Sequence, residues 1–169
     1  DADTVFQKVL TELARFNTEG ILAIDFNTFG MNDYQVSFYV DSVDPAKNMI
    51  VWRLFLEDDA GQMINVTVDD ETGVLLSIQY ISKIALDMFN VSEDVPKPSS
   101  KKYDDYFNGT LVDPDSLITS IADYYGLEVM SQDRIERLST IQYMLQLSDG
   151  SGIATMEIML TKGDLYINY

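Results

Sequence analysis

The stretch that decides the fold runs from Met49 to Tyr80: Met49-Ile50-Val51-Trp52-Arg53-Leu54-Phe55-Leu56, Glu57-Asp58-Asp59-Ala60-Gly61, Met63-Ile64-Asn65-Val66-Thr67-Val68, Asp69-Asp70-Glu71-Thr72-Gly73 and Val74–Tyr80. Ile64, Val66 and Val68 alternate with Asn65 and Thr67, the period of a strand with one buried face. The two acidic segments end in glycine, where a chain reversal needs a residue free of the Cβ clash. Three strands and two tight turns read as an antiparallel meander.

Outward toward the N-terminus, Tyr34, Val36, Phe38 and Val40 alternate with polar or smaller residues, and Ile21–Phe26 is an apolar run; both are expected to be strands. Before them, Val5, Phe6, Val9, Leu10, Leu13 and Phe16 recur at helical spacing, with Asp3 placed to cap and Gly20 to stop the helix. Toward the C-terminus, residues 81–90 are ambiguous: Ile81, Ile84, Ala85, Met88 and Phe89 fit a short amphipathic helix, while the first of these residues could instead extend the preceding strand. Residues 91–108, with Pro96, Pro98, Ser99 and Ser100, show no apolar period and read as a linker. A second helix follows, with Asp113 as its cap, Pro114 in the first turn, a stripe of Leu117, Ile118, Ile121 and Tyr125, and Gly126 as its stop. Leu138–Leu147, Ile153–Leu160 and Leu165–Tyr169 are then expected as strands, joined by Asp149-Gly150-Ser151-Gly152 and Lys162-Gly163-Asp164 turns.

Helix then meander occurs twice in this order. The expectation is an α+β protein of two similar units, each a helix packed on a small antiparallel β-meander: residues 1–90, a linker at 91–112, and residues 113–169.

Composition excludes more than it assigns. With 28 acidic and 11 basic residues the net charge is −17, which repels phosphate backbones and anionic lipid. Nucleic acid is therefore not expected as a partner, and no run of about 20 apolar residues is present to insert into a bilayer. With 46% hydrophobic residues the chain can nevertheless build a core. Without Cys or His there is no thiolate nucleophile, no serine–histidine–carboxylate triad and no imidazole or thiolate metal site. Acid–base chemistry would fall to carboxylates, Lys or Tyr. No catalytic residue, cofactor or metal ligand is assigned.

The acidic turns Glu57-Asp58-Asp59 and Asp69-Asp70-Glu71 lie at opposite ends of their shared strand and lack the EF-hand pattern, so solvated turns are the expectation for them. Trp52 alternates with Leu54 and Leu56 and is expected in the core. Tyr103, Tyr106 and Phe107, in the linker beside Asp104 and Asp105, either pack the linker onto a domain or form a partner-docking patch. Asn65-Val66-Thr67, Asn90-Val91-Ser92 and Asn108-Gly109-Thr110 match the glycosylation triplet, which carries little weight without a eukaryotic secretory context.

The strand–turn–strand line of residues 49–80, above all Asp69-Asp70-Glu71-Thr72-Gly73 leading into Val74-Leu75, resembles the PepSY family. The second half resembles it less closely, with Asp149-Gly150 at the first turn and Lys162-Gly163-Asp164 at the second. The resemblance implies a non-enzymatic, extracytoplasmic bacterial module, often in tandem and sometimes linked to peptidase inhibition or envelope regulation. The chain opens on Asp1 rather than Met, inside a helical pattern, and is read as a processed or trimmed chain whose leader is gone; the expected location is extracytoplasmic, with a cell-surface lipoprotein as one form of it.

The expected function is a non-catalytic binding or regulatory module that recognises a protein or peptide through an exposed sheet face or strand edge, its negative field selecting a cationic or neutral partner. Two alternatives stay open on the sequence: a carboxylate-dependent hydrolase acting on glycans, which needs opposed carboxyls in a hollow, and a structural spacer, which needs no ligand.

Overall fold

A computed structural model describes residues 1–22, 24–82, 114–137, 140–161 and 164–169. Helix α1 (Ala2–Thr18) is followed by a 3-10 turn at Phe26–Thr28 and strands β1 (Phe29–Val40), β2 (Asn48–Asp58), β3 (Met63–Asp69) and β4 (Leu75–Ile81). Helix α2 (Pro114–Tyr125) then leads to β5 (Glu128–Arg137), β6 (Thr140–Ser148), β7 (Ile153–Thr161) and β8 (Asp164–Asn168).

The expectation of two helix-plus-meander units is overturned. All eight strands form one antiparallel sheet in the order β1-β2-β3-β4-β8-β7-β6-β5, so the sheet dominates and both helices serve it. The physical reason lies at the joint. Separate four-stranded meanders would each end in an exposed strand, β4 in one and β8 in the other, with unpaired N–H and C=O groups. Pairing β4 with β8, Ser77 to Asn168 through Ile81 to Asp164, removes both edges and joins the two apolar faces.

One row of side chains shows the result. Tyr34, Leu54, Val66, Ile78, Ile167, Ile158, Tyr143 and Arg134 stand opposite one another in turn across the whole sheet. The six inner members are buried, in a single core cluster with Val5, Val9, Leu13 and Phe16 of α1 and Leu117, Ile118 and Ile121 of α2. This face is therefore the helix-covered one. At one hydrophobic contribution of roughly 1.5–3 kcal/mol per buried large side chain, this shared layer is the main source of cohesion.

Both helices end the same way. Gly20 and Gly126 take φ of 74° and 65°, a left-handed conformation that a side chain would strain. Gly20 N donates to Asn17 O and Ile21 N to Phe16 O; Gly126 N donates to Asp123 O and Leu127 N to Ala122 O, so each pair closes a Schellman motif. The motif also corrects the strand expected at Ile21–Phe26: Ile21 and Leu22 are buried at the helix end, Asn17 holds both backbone groups of Ile24, and Phe26 enters the 3-10 turn. The N-terminal cap is Asp1, not Asp3, with Thr4 N donating to Asp1 Oδ1 at 2.9 Å. The helix expected through residue 90, the linker at 91–112 and the cap at Asp113 lie outside the described residues, apart from Ile81 in β4 and Ser82.

The helices meet at Tyr124. Its ring packs edge-on against Phe16 at 4.4 Å, the Arg15 guanidinium lies 4.5 Å from its centroid, and its hydroxyl donates to Glu12 Oε2 at 2.6 Å. Burial, then the neighbouring Glu12 carboxylate, pushes the Tyr124 phenol well above its ordinary value, so it remains a donor. Next to it, the Tyr125 hydroxyl donates to Leu75 O of β4 and its ring stacks on Tyr169 at 4.9 Å, pinning α2 to the joint between the halves.

Candidate functional site

β1 and β5 occupy equivalent outer positions, each with a register irregularity near its start, between Met31 and Asp33 and between Val129 and Ser131. Their chemistry differs. On the helix-side face β5 places Gln132, Arg134 and Glu136 opposite Leu145, Tyr143 and Ile141. Arg134 lies over the Tyr143 ring at 5.6 Å and pairs with Glu136 at 2.6 Å. Inward-pointing charge of this kind is how proteins keep an edge from accepting a foreign strand.

On the same face β1 places Tyr34, Val36, Phe38 and Val40, which are 46%, 50%, 63% and 49% exposed. Tyr34, Val36 and Phe38 stand opposite Leu54, Trp52 and Ile50 of β2. Between Met31 and Val40 the only charged residue is Asp33. The core's apolar layer thus runs on to the sheet margin here, whereas at β5 it is closed by charge.

The backbone of these four residues faces the margin too. Asp41 N donates to Lys47 O across the hairpin, and Tyr34 N donates to the neighbouring Asp33 Oδ1 at 2.8 Å. Alternation in an antiparallel ladder then directs Gln35, Ser37 and Tyr39 toward β2 and turns the N–H and C=O of Val36, Phe38 and Val40 outward. Each of these three residues presents a backbone pair and an apolar side chain at one place. No strand lies beyond β1 among the described residues.

Trp52 is half-buried. Its ring lies 5.6 Å from that of Tyr34, and its Nε1 donates to Asp70 Oδ1 at 2.7 Å, which fixes the inner wall of the stripe. A hollow of about 520 Å³ at the hairpin tip, lined by Tyr39, Val40, Asp41, Ala46, Lys47, Asn48 and Met49, opens widely beside the end of β1. It contains one carboxylate, Asp41, whose acidity is increased by hydrogen bonds from Val43 N and Asp44 N.

The acidic turns are closed in on themselves. Asp58 accepts from Ala60 N, Gln62 N and Gln62 Nε2, and Gln62 in turn accepts from the Tyr80 hydroxyl. At Asp69 burial is the largest single influence and works upward, but the Thr72 hydroxyl and N–H, the Glu71 N–H and the charge of Lys8 together outweigh it, leaving the carboxyl below its ordinary value. Asp149 is lowered as well, chiefly by Ser151. Among the described residues no group of three or more Asp or Glu side chains is gathered in a way that could hold a metal ion. Nor is any helix among them long and apolar enough to cross a membrane. Tyr103, Tyr106 and Phe107 lie outside the described residues.

The Asp69 turn gives a pH prediction. Its folded value is lowered, so its stabilisation is present above the unfolded value of about 4 and is lost as the pH falls through the folded one. Asp69→Asn is expected to cost of order 1 kcal/mol or less at neutral pH, the turn being largely solvated. Urea unfolding of both proteins should show this deficit shrinking below about pH 4. A difference that persisted unchanged to low pH would show that the carboxylate charge is not what holds the turn.

No family model matches the chain, and no curated protein or solved structure matches it either.

Proposed function

We propose that this protein is a non-catalytic binding module that takes an extended peptide segment of a partner as an additional strand along β1. The observation that carries this reading is the contrast between the two margins of one sheet: charge closes β5, while β1 presents outward backbone groups and an exposed apolar stripe at the same residues. Strand addition uses both, the ladder for affinity and alternate side chains for selection. An exposed, weakly charged edge is otherwise an aggregation hazard, and a net charge of −17 opposes contact between copies. Asp41, Asp58, Asp69 and Asp149, each held below its ordinary value by hydrogen bonds within its own turn, are unsuited to the role of a general acid.

The test is selection of a displayed random peptide library on the immobilised protein and on Val36→Pro. Proline at that position deletes an outward N–H and leaves the bonds to β2 in place. The enriched peptides are expected to bind the parent protein and to fail on the variant, with the far-UV spectra of the two alike. Peptides that bind both equally would refute strand addition at β1.

A further inference from the structure

The geometry points to the sequence pattern of that partner: we infer that β1 selects a basic segment with apolar residues at every second position, the apolar side chains lying on the helix-side face over Tyr34, Val36 and Phe38. This rests on the strand-addition reading and adds to it the parity and the sign of the ligand.

Parity follows from the pleat. A strand paired with β1 would put alternate side chains on the two faces of the sheet, next to unlike neighbours. On the helix side its neighbours are Tyr34, Val36, Phe38 and Val40, backed by Trp52 and Ile50. On the other face they are Asp33, Gln35, Ser37 and Tyr39, standing opposite Phe55, Arg53, Val51 and Met49 of β2. A ligand with apolar residues toward the first set extends the row that already crosses the sheet from Tyr143 to Leu54. A one-residue slip moves those residues to the second face, beside Asp33, Gln35 and Ser37, and sets polar groups over the stripe. The pattern is therefore read by the side chains as well as by the ladder.

Sign follows from the charge. The molecule carries −17, Asp33 stands within β1, and Asp41 and Asp44 lie just past its end. Among these three, Asp44 is paired with Lys47 at 3.9 Å, a solvent-exposed contact. A basic ligand is drawn to this margin, while a second copy of the chain would bring like charge to it. The occupant is accordingly a basic heterologous strand and not a dimer partner.

The experiment uses the full chain and three synthetic peptides: one alternating Lys with Val and Leu, an isomer of the same composition with the apolar residues in one block, and the alternating peptide with Glu in place of Lys. Calorimetric titration is expected to show binding of the first, weakened by added salt. The block isomer should bind at least about tenfold less tightly, the loss of one or two apolar contacts, and the Glu peptide should show no measurable binding. If the two Lys isomers bind equally and Val36→Pro abolishes both, strand addition stands and the inferred pattern is overturned. If neither Lys peptide responds to Val36→Pro, the strand-addition reading falls with it. Concentration-dependent dimerisation abolished by the same substitution would make a second copy the occupant and overturn the inference.

Discussion

Replacing Tyr124 with alanine is expected to lower the unfolding free energy by about 3–5 kcal/mol, the largest effect of a single substitution on this account, because it empties an aromatic position at the contact between the two helices. The ring is 4% exposed and meets Phe16, Tyr125 and the Arg15 guanidinium. Truncation also leaves the Glu12 carboxylate without the phenol that donates to it. Tyr124→Phe keeps the packing and removes only that hydrogen bond, so its cost should be nearer about 1 kcal/mol. Urea denaturation of both variants checks the pair. Equal losses would mean that the hydroxyl, rather than the packed ring, joins α1 to α2.

The second large effect concerns recognition and should leave stability nearly untouched. In the double variant Val36→Lys, Phe38→Lys, two exposed apolar side chains are replaced by like charges facing a basic ligand. Loss of two apolar contacts at about 1.5 kcal/mol each predicts at least about a hundredfold weaker binding of the alternating Lys peptide, with electrostatic repulsion adding to it. Both side chains lie on the helix-side face but at its margin, 50% and 63% exposed and outside the buried core, so the unfolding free energy should change by no more than about 0.5 kcal/mol. The companion change Ile135→Lys on β5, a 43% exposed residue of the charged margin, should not affect peptide binding beyond the general reduction in negative field. Binding lost equally in both would make the interaction a matter of net charge and not of the β1 stripe.

How much of this was legible in the sequence depended on where the information lay. The meander of residues 49–80 was legible because its signals are local: alternation in Ile64, Val66 and Val68, and glycine-terminated acidic turns, which became β2, β3 and β4. The alternating residues Tyr34–Val40 also became a strand, but alternation shows only that one side is apolar. Whether that side is covered depends on how far the helices reach across the sheet, and Phe38 remains 63% exposed.

β5 escaped the sequence reading for the opposite reason. Glu128–Arg137 carries charge where a buried strand would carry apolar residues, since its position at the margin requires that guard. Ile21–Phe26 read as a strand on composition alone, but the Gly20 terminus folds Ile21 back onto the helix end. The joint between β4 and β8 has no local signal at all. Both strands alternate as any half-buried strand does, and only the removal of two exposed edges selects their pairing. That long-range choice turned two expected units into one sheet, and with it left β1 and β5 as its two margins.

Amide hydrogen exchange reads the outward backbone of β1 directly. In the free protein the N–H groups of Val36, Phe38 and Val40 should exchange fast, and those of Gln35, Ser37 and Tyr39, directed toward β2, slowly. Saturation with the alternating Lys peptide is predicted to slow the first set selectively while leaving the β5 amides unchanged. Peptide binding that protected β5, or that left Val36, Phe38 and Val40 as fast as before, would contradict strand addition at β1.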